Sequence, residues 1–166
     1  MYAESMAYQP VQSWEWKYKG ERRGVAAFRD TVLFWTHAVG QPTGDLGIYA
    51  RRKIRGLAGR LGIGNASLHA VGRAWDCKVP DGRVNPDLGN ALMFKAAAAA
   101  DQLGICEIIY NRKRWTKEGG TEKYTGSNGH YDHVHFGFTI AMADNGATHA
   151  DLVKWFGHFM FDLPIK

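Results

Sequence analysis

Three of the seven histidines of this chain fall within six residues, in "HYDHVHF", which holds His130, His133 and His135. A strand sends alternate side chains to the same face, so His133 and His135 are expected to stand together. Earlier in the chain "SLHAVGRAWD" carries His69 and Asp76, seven positions apart, with glycine and alanine between them. Two imidazoles on one strand face, joined by a His and an Asp from another segment, make a candidate metal site. The plain alternative is a surface strand with incidental histidines and a turn that happens to hold a His and an Asp. A zincin helix is excluded, because neither His37 nor His69 is followed by Glu.

These residues need elements to position them. Val25, Phe28, Val32 and Trp35 recur at helical spacing and predict a helix over 25–38, ended by Gly40 and Pro42. "SWEWKY" alternates aromatic and polar residues and reads as a strand. "GIYARRKI" reads as a strand or short helix, followed by a Gly-rich loop. "AWDCKV" (74–79) reads as a short strand and "PDGRVNPD" as turn chemistry. "NALMFKAAAAADQLG" predicts a helix over 90–103, capped by Asn90 or Asp87 and closed by Gly104. "ICEIIYN" (105–111) is a buried-type strand, "RKRWTKEGGTEKYTGSNG" a long polar loop, and "HYDHVHFGFTI" (130–140) a period-two strand. "ATHADLVKWFGHFMF" predicts a final helix that docks on the core through Leu152, Phe156 and Met160. His37, His149 and His158 fall on predicted helices and receive no role.

Composition limits the rest. At 166 residues, 45% hydrophobic and 22% charged, the chain suits one domain spanning 1–166. Its net charge of +5 favours polyanionic partners. Neither a GxGxxG nor a Walker motif is present. Arg51, Arg52, Lys53, Arg55 and Arg60 form a basic cluster, read either as a phosphate-binding surface or as a solvated face. Cys77 and Cys106 form no CxxC pair, and read either as two buried thiols or as one disulfide. No apolar run is long enough to span a membrane, and "MYAESMAYQP" lacks the features of a secretory signal. Synthesis in a cytoplasm is therefore expected.

The order and spacing of the His and Asp residues resemble a known group. Ser67-x-His69-x-x-Gly72-x-Ala74-x-Asp76, followed by His133-x-His135, is similar to the two signatures of the LAS zinc peptidases. That group takes in lysostaphin-type endopeptidases, D-alanyl-D-alanine metallopeptidases and the zinc domain of hedgehog proteins. "HYDHVHF" resembles the ending of penicillin-insensitive murein endopeptidases, and the likeness covers about residues 45–140. It implies Zn²⁺ held by His69, Asp76 and His135, with an open position for water. Gly72 and Ala74 would let the loop fold back so that the ligands converge. Asp132 would take the proton from the water, His133 would help stabilise the transition state, and Arg51 would contact the substrate or the developing oxyanion. His130 is a further candidate for acid–base work. An offset of three on a regular strand turns Asp132 away from His135, so its role requires a bend near Tyr131. Cys77 reads as a core residue and Ser67 as a turn residue. Tyr110, Asn111 and Arg112 are expected to line the substrate cleft.

The expected fold is α+β: a small, mainly antiparallel sheet carrying the zinc site, flanked by helices. The expected function is hydrolysis of an amide bond in bacterial peptidoglycan by a monomeric, zinc-dependent peptidase. A phage endolysin, made in the host cytoplasm and acting on the wall after release, suits the missing leader best. Alternatives are a bacterial D,D-carboxypeptidase and a non-catalytic, hedgehog-like zinc module. A nucleic-acid binder using the Arg51–Arg60 cluster is the rival from another class, and is not the expected partner type.

Overall fold

The computed structural model describes residues 7–50, 67–145 and Leu152. Among the described residues six strands form one sheet: β1 (Gly44–Asp45), β2 (Ala74–Lys78), β3 (Ile105–Tyr110), β4 (Lys113–Thr116), β5 (Gly120–Lys123) and β6 (His133–Phe138). Their order is β1-β2-β6-β3-β4-β5, and every neighbouring pair is antiparallel. The helices are α1 (Arg23–Ala38), α2 (Asp87–Ala98), α3 (Ala100–Leu103) and α4 (Ile140–Asn145). This is the α+β architecture expected, with one sheet face given to the core and the other to the site.

Strand alternation divides the two faces. Trp75 and Cys77 of β2, Ile105, Ile108 and Tyr110 of β3, and Val134, Phe136 and Phe138 of β6 enter the main core with α1 and α2. Phe28 of α1 packs edge-on against Trp75, Phe136 and Phe138, with ring centroids 5.0–6.0 Å apart. Asp76, His133 and His135 belong to the alternate positions. Both faces of β6 are covered, so all six of its residues are buried.

One irregularity sets the phase of β3. Its register against β6 shifts between Ile105 and Glu107, a β-bulge at Cys106. Cys106 packs with Leu68 and Ala74 in a small separate cluster. The extra residue lets Ile105 and Ile108 both face the main core, and turns Glu107 towards the histidine side.

Several expectations need correction. "SWEWKY" is no strand: Ser13–Lys17 is a 3-10 helix, because Glu15 is drawn into a buried ion pair. The "RKRWTKEGGTEKYTGSNG" loop contains β4 and β5. Asn111 and Arg112, with φ of 46° and 63°, make a tight hairpin turn between Tyr110 and Lys113. Tyr110 is fully buried, so it is a core residue and lines no cleft. The helix expected over 90–103 begins at Asp87 and breaks at Ala99 before α3. The strand expected from 130 begins at His133. Cys77 and Cys106 are free, buried thiols in different clusters, not a disulfide. Tyr49 and Ala50 belong to no regular element. Gly47 and Ile48 likewise belong to no regular element. Residues 51–54 of "GIYARRKI", the Arg51–Arg60 cluster and the final predicted helix, apart from Leu152, lie outside the described residues.

A buried charge network ties the N-terminal segment to the sheet. Glu15 is fully buried between two guanidinium groups, with Arg22 Nη1 at 2.9 Å and Arg73 Nη1 at 3.0 Å. Arg73 also donates to the carbonyls of Phe138 and Gln9. Removing one partner of a buried pair leaves charge uncompensated. Glu15→Gln is therefore expected to cost about 3–5 kcal/mol, measured by urea unfolding. Tyr110 supplies a second test. A Cβ at Gly89 would overlap the Tyr110 ring, so Gly89→Ala should destabilise by about 1–3 kcal/mol despite alanine's better helix propensity. A stabilised variant would show that α2 can shift away.

Candidate metal centre

The loop before β2 delivers the first donor. Leu68–Val71 is a single 3-10 turn. The Ser67 hydroxyl accepts from the His69 N–H at 3.4 Å, the turn role expected of it. Gly72 ends the turn at φ 70°, and a Cβ there would collide with the Gly20 carbonyl oxygen. Glycine is therefore required both for the left-handed conformation and for close approach. β2 follows at once and brings Asp76 directly opposite His135 of β6.

The three side chains converge on one point. His69 Nε2 lies 3.0 Å from Asp76 Oδ1 and 3.1 Å from His135 Nδ1, and His135 Nδ1 lies 2.9 Å from Asp76 Oδ1. Both histidines are buried. The outer nitrogen of each imidazole faces oxygen. His69 Nδ1 donates to the Ile48 carbonyl at 2.8 Å. His135 Nε2 stands 3.6 Å from Glu107 Oε1, an electrostatic contact longer than a hydrogen bond. A proton on each outer nitrogen leaves two imidazole lone pairs and a carboxylate oxygen aimed at the same place. Such a set requires a positive charge between its members.

Negative charge already surrounds His135. Burial opposes the charged ring, but Asp76 and Glu107 outweigh it and push the His135 pKa up to about 9. Burial likewise disfavours ionised Asp76, yet its hydrogen bonds with His135 and His69 hold it well below the usual carboxylate range. Glu107, also penalised by burial, is held low by His135 and Arg114. Two imidazoles and one carboxylate are equally a donor set for a divalent ion. The His69–Asp76–His135 group could hold a metal, and it is the one such group among the described residues.

The other expected site residues fall around this centre. His133 Nδ1 lies 2.7 Å from Asp132 Oδ1, while its Nε2 faces Asp76 Oδ2 at 3.9 Å. The Asp132 side chain is 68% exposed, and its contact on this side is the His133 ring. The hydrogen bond from His133 holds the Asp132 carboxyl below its ordinary range. His130 sits at φ 50° and is buried, its ring centroid 4.7 Å from that of His133 and 5.8 Å from that of His135. Burial and then the neighbouring histidines lower its pKa to about 3. Arg51 lies outside the described residues. Cys77 is a core residue, as expected, and contributes nothing to the donor set.

Glu107 escaped the motif reading. The available signal was a single acidic residue inside the otherwise apolar run "ICEIIY", since a charge in a fully buried strand needs a partner.

Fold and site together define an α+β domain with a buried, two-histidine, one-carboxylate centre on an antiparallel sheet. Residues 47–135 match the family model described as VldE, C-terminal domain, and the chain belongs to that family. The matched span contains all three donors and Glu107. No curated protein and no solved structure matches the chain. Among the described residues, no helix is long and apolar enough to cross a membrane.

Proposed function

We propose that this protein is a zinc-dependent peptidase that hydrolyses an amide bond in bacterial peptidoglycan. The convergence of His69 Nε2, Asp76 Oδ1 and His135 Nδ1 carries the reading. The resemblance of the two His/Asp signatures to LAS peptidases supports it, and the net charge of +5 suits an anionic wall polymer. The metal, when bound, supplies a Lewis acid that makes water nucleophilic near neutral pH.

The remaining work belongs to the chain. With Nδ1–H donating to Asp132, His133 keeps Nε2 as the acceptor on the side of the donor set, 3.9 Å from Asp76 Oδ2. From there it takes a proton from the attacking water and returns it to the departing amine. Asp132 fixes the tautomer and stabilises the imidazolium that forms. This reading divides between Asp132 and His133 the proton transfer that the resemblance assigns to the carboxylate. His130, with its depressed pKa, is a neutral wall to the site rather than a second cation. Release at lysis, as a phage endolysin, remains the biological setting that this reading favours.

The test uses purified walls of several peptidoglycan types, with and without a chelator, and mass spectrometry of the products. Metal-loaded protein should release new free amines, and the chelator should stop this. The new termini would identify the bond, separating an endopeptidase from a carboxypeptidase. Unchanged walls of every type, with the metal in place, would remove the peptidase reading and favour a non-catalytic metal module.

A further inference from the structure

We propose that Glu107 is a positioning residue for the metal centre, holding His135 in the tautomer that presents Nδ1. The inference rests on the metal-site reading above. Four features carry it. Glu107 is buried at 7% exposure in a strand whose other residues are apolar or aromatic apart from Cys106. The bulge at Cys106 turns it from the core to the histidine side. Its cross-strand partner is Gly137, where a Cβ would meet Leu68 Cδ1 at 2.7 Å and the Glu107 Cβ at 3.3 Å, so glycine lets Leu68 and Glu107 share this part of the histidine side. Finally, the two carboxylate oxygens have separate tasks. Arg114 Nε binds Oε2 at 2.5 Å, while Oε1 faces His135 Nε2 at 3.6 Å.

An Arg–Glu pair alone would account for burying the carboxylate, but it does not require Oε1 to face an imidazole. Negative charge beside Nε2 keeps the ring proton there. It therefore keeps the Nδ1 lone pair on the side of Asp76 and His69, and raises the basicity of that nitrogen. Arg114, held in turn by Glu122 at 3.2 Å, prevents the carboxylate from rotating away. The centre thus runs outward as donor set, His135, Glu107, Arg114.

The test measures zinc affinity of the metal-stripped, full-length protein by chelator competition, and the visible spectrum of its cobalt form. E107M should bind zinc roughly 10–100-fold more weakly than the parent and change the cobalt bands. E107Q, which keeps an acceptor oxygen but loses the charge, should fall between the two. E118Q, in the exposed turn between β4 and β5, should leave both readouts unchanged. If E107M does not fold, near-isosteric E107Q carries the test: several-fold weaker binding and a shifted cobalt spectrum support the role. Parental affinity with unaltered bands in either Glu107 variant overturns it. A parent protein that binds neither metal would overturn the underlying metal-site reading instead.

Discussion

His69→Ala is expected to leave the sheet folded and the protein unable to retain a metal. His69 lies outside every strand, on a single 3-10 turn, so its loss removes a donor without breaking a ladder. The remaining pair, Asp76 and His135, face each other across β2 and β6 at 2.9 Å and would close into an ordinary ion pair. Losing an outer partner of a metal ligand typically costs about 10–100-fold in affinity, and losing a ligand should exceed that. Metal content after gel filtration and circular dichroism check the two halves of the expectation. Full metal occupancy in the variant would take His69 out of the ligand set.

The second large effect concerns proton transfer. His133→Gln should keep the metal but lower turnover of the wall substrate by about 10²–10⁴-fold, the usual worth of a positioned acid–base group. Asp132→Asn should also keep the metal and lose much of the turnover, because the amide keeps an acceptor oxygen but no charge to fix the tautomer and stabilise the imidazolium. If Asp132→Asn is nearly normal while His133→Gln is dead, the histidine carries the proton alone. If His133→Gln retains the activity that Asp132→Asn loses, the carboxylate acts directly, against the geometry described above.

Much of this site was legible before any coordinates. The candidate donor set was readable through the resemblance of its two parts to the LAS signatures, and local rules explain the shape of each part. A tight turn needs a glycine, here Gly72, and a strand places His133 and His135 on one face. Cross-strand pairing of Asp76 with His135 then follows from β2 lying beside β6. The features that were missed depend on contacts distant in sequence. The β3–β4 hairpin was hidden because its turn uses Asn111-Arg112, where glycine is the usual marker of positive φ. Ser13–Lys17 shows strand-like alternation, but burying Glu15 between Arg22 and Arg73 overrides it. Glu107 was overlooked because a bulge, which no periodicity reveals, decides which way it faces. The position of Asp132 was half foreseen. The alternation rule turned it away from His135, and the structure gives it His133 as a partner.

The central claim is that His69, Asp76 and His135 form a metal site, and equilibrium titration tests it most directly. Protein stripped with a chelator and titrated with zinc should take up one ion per chain. Loss of that uptake in His69→Ala, Asp76→Ala and His135→Ala, with uptake preserved in His37→Ala, would locate the ion. Absence of binding by the folded parent protein, or uptake unaffected by all three substitutions, would contradict the account.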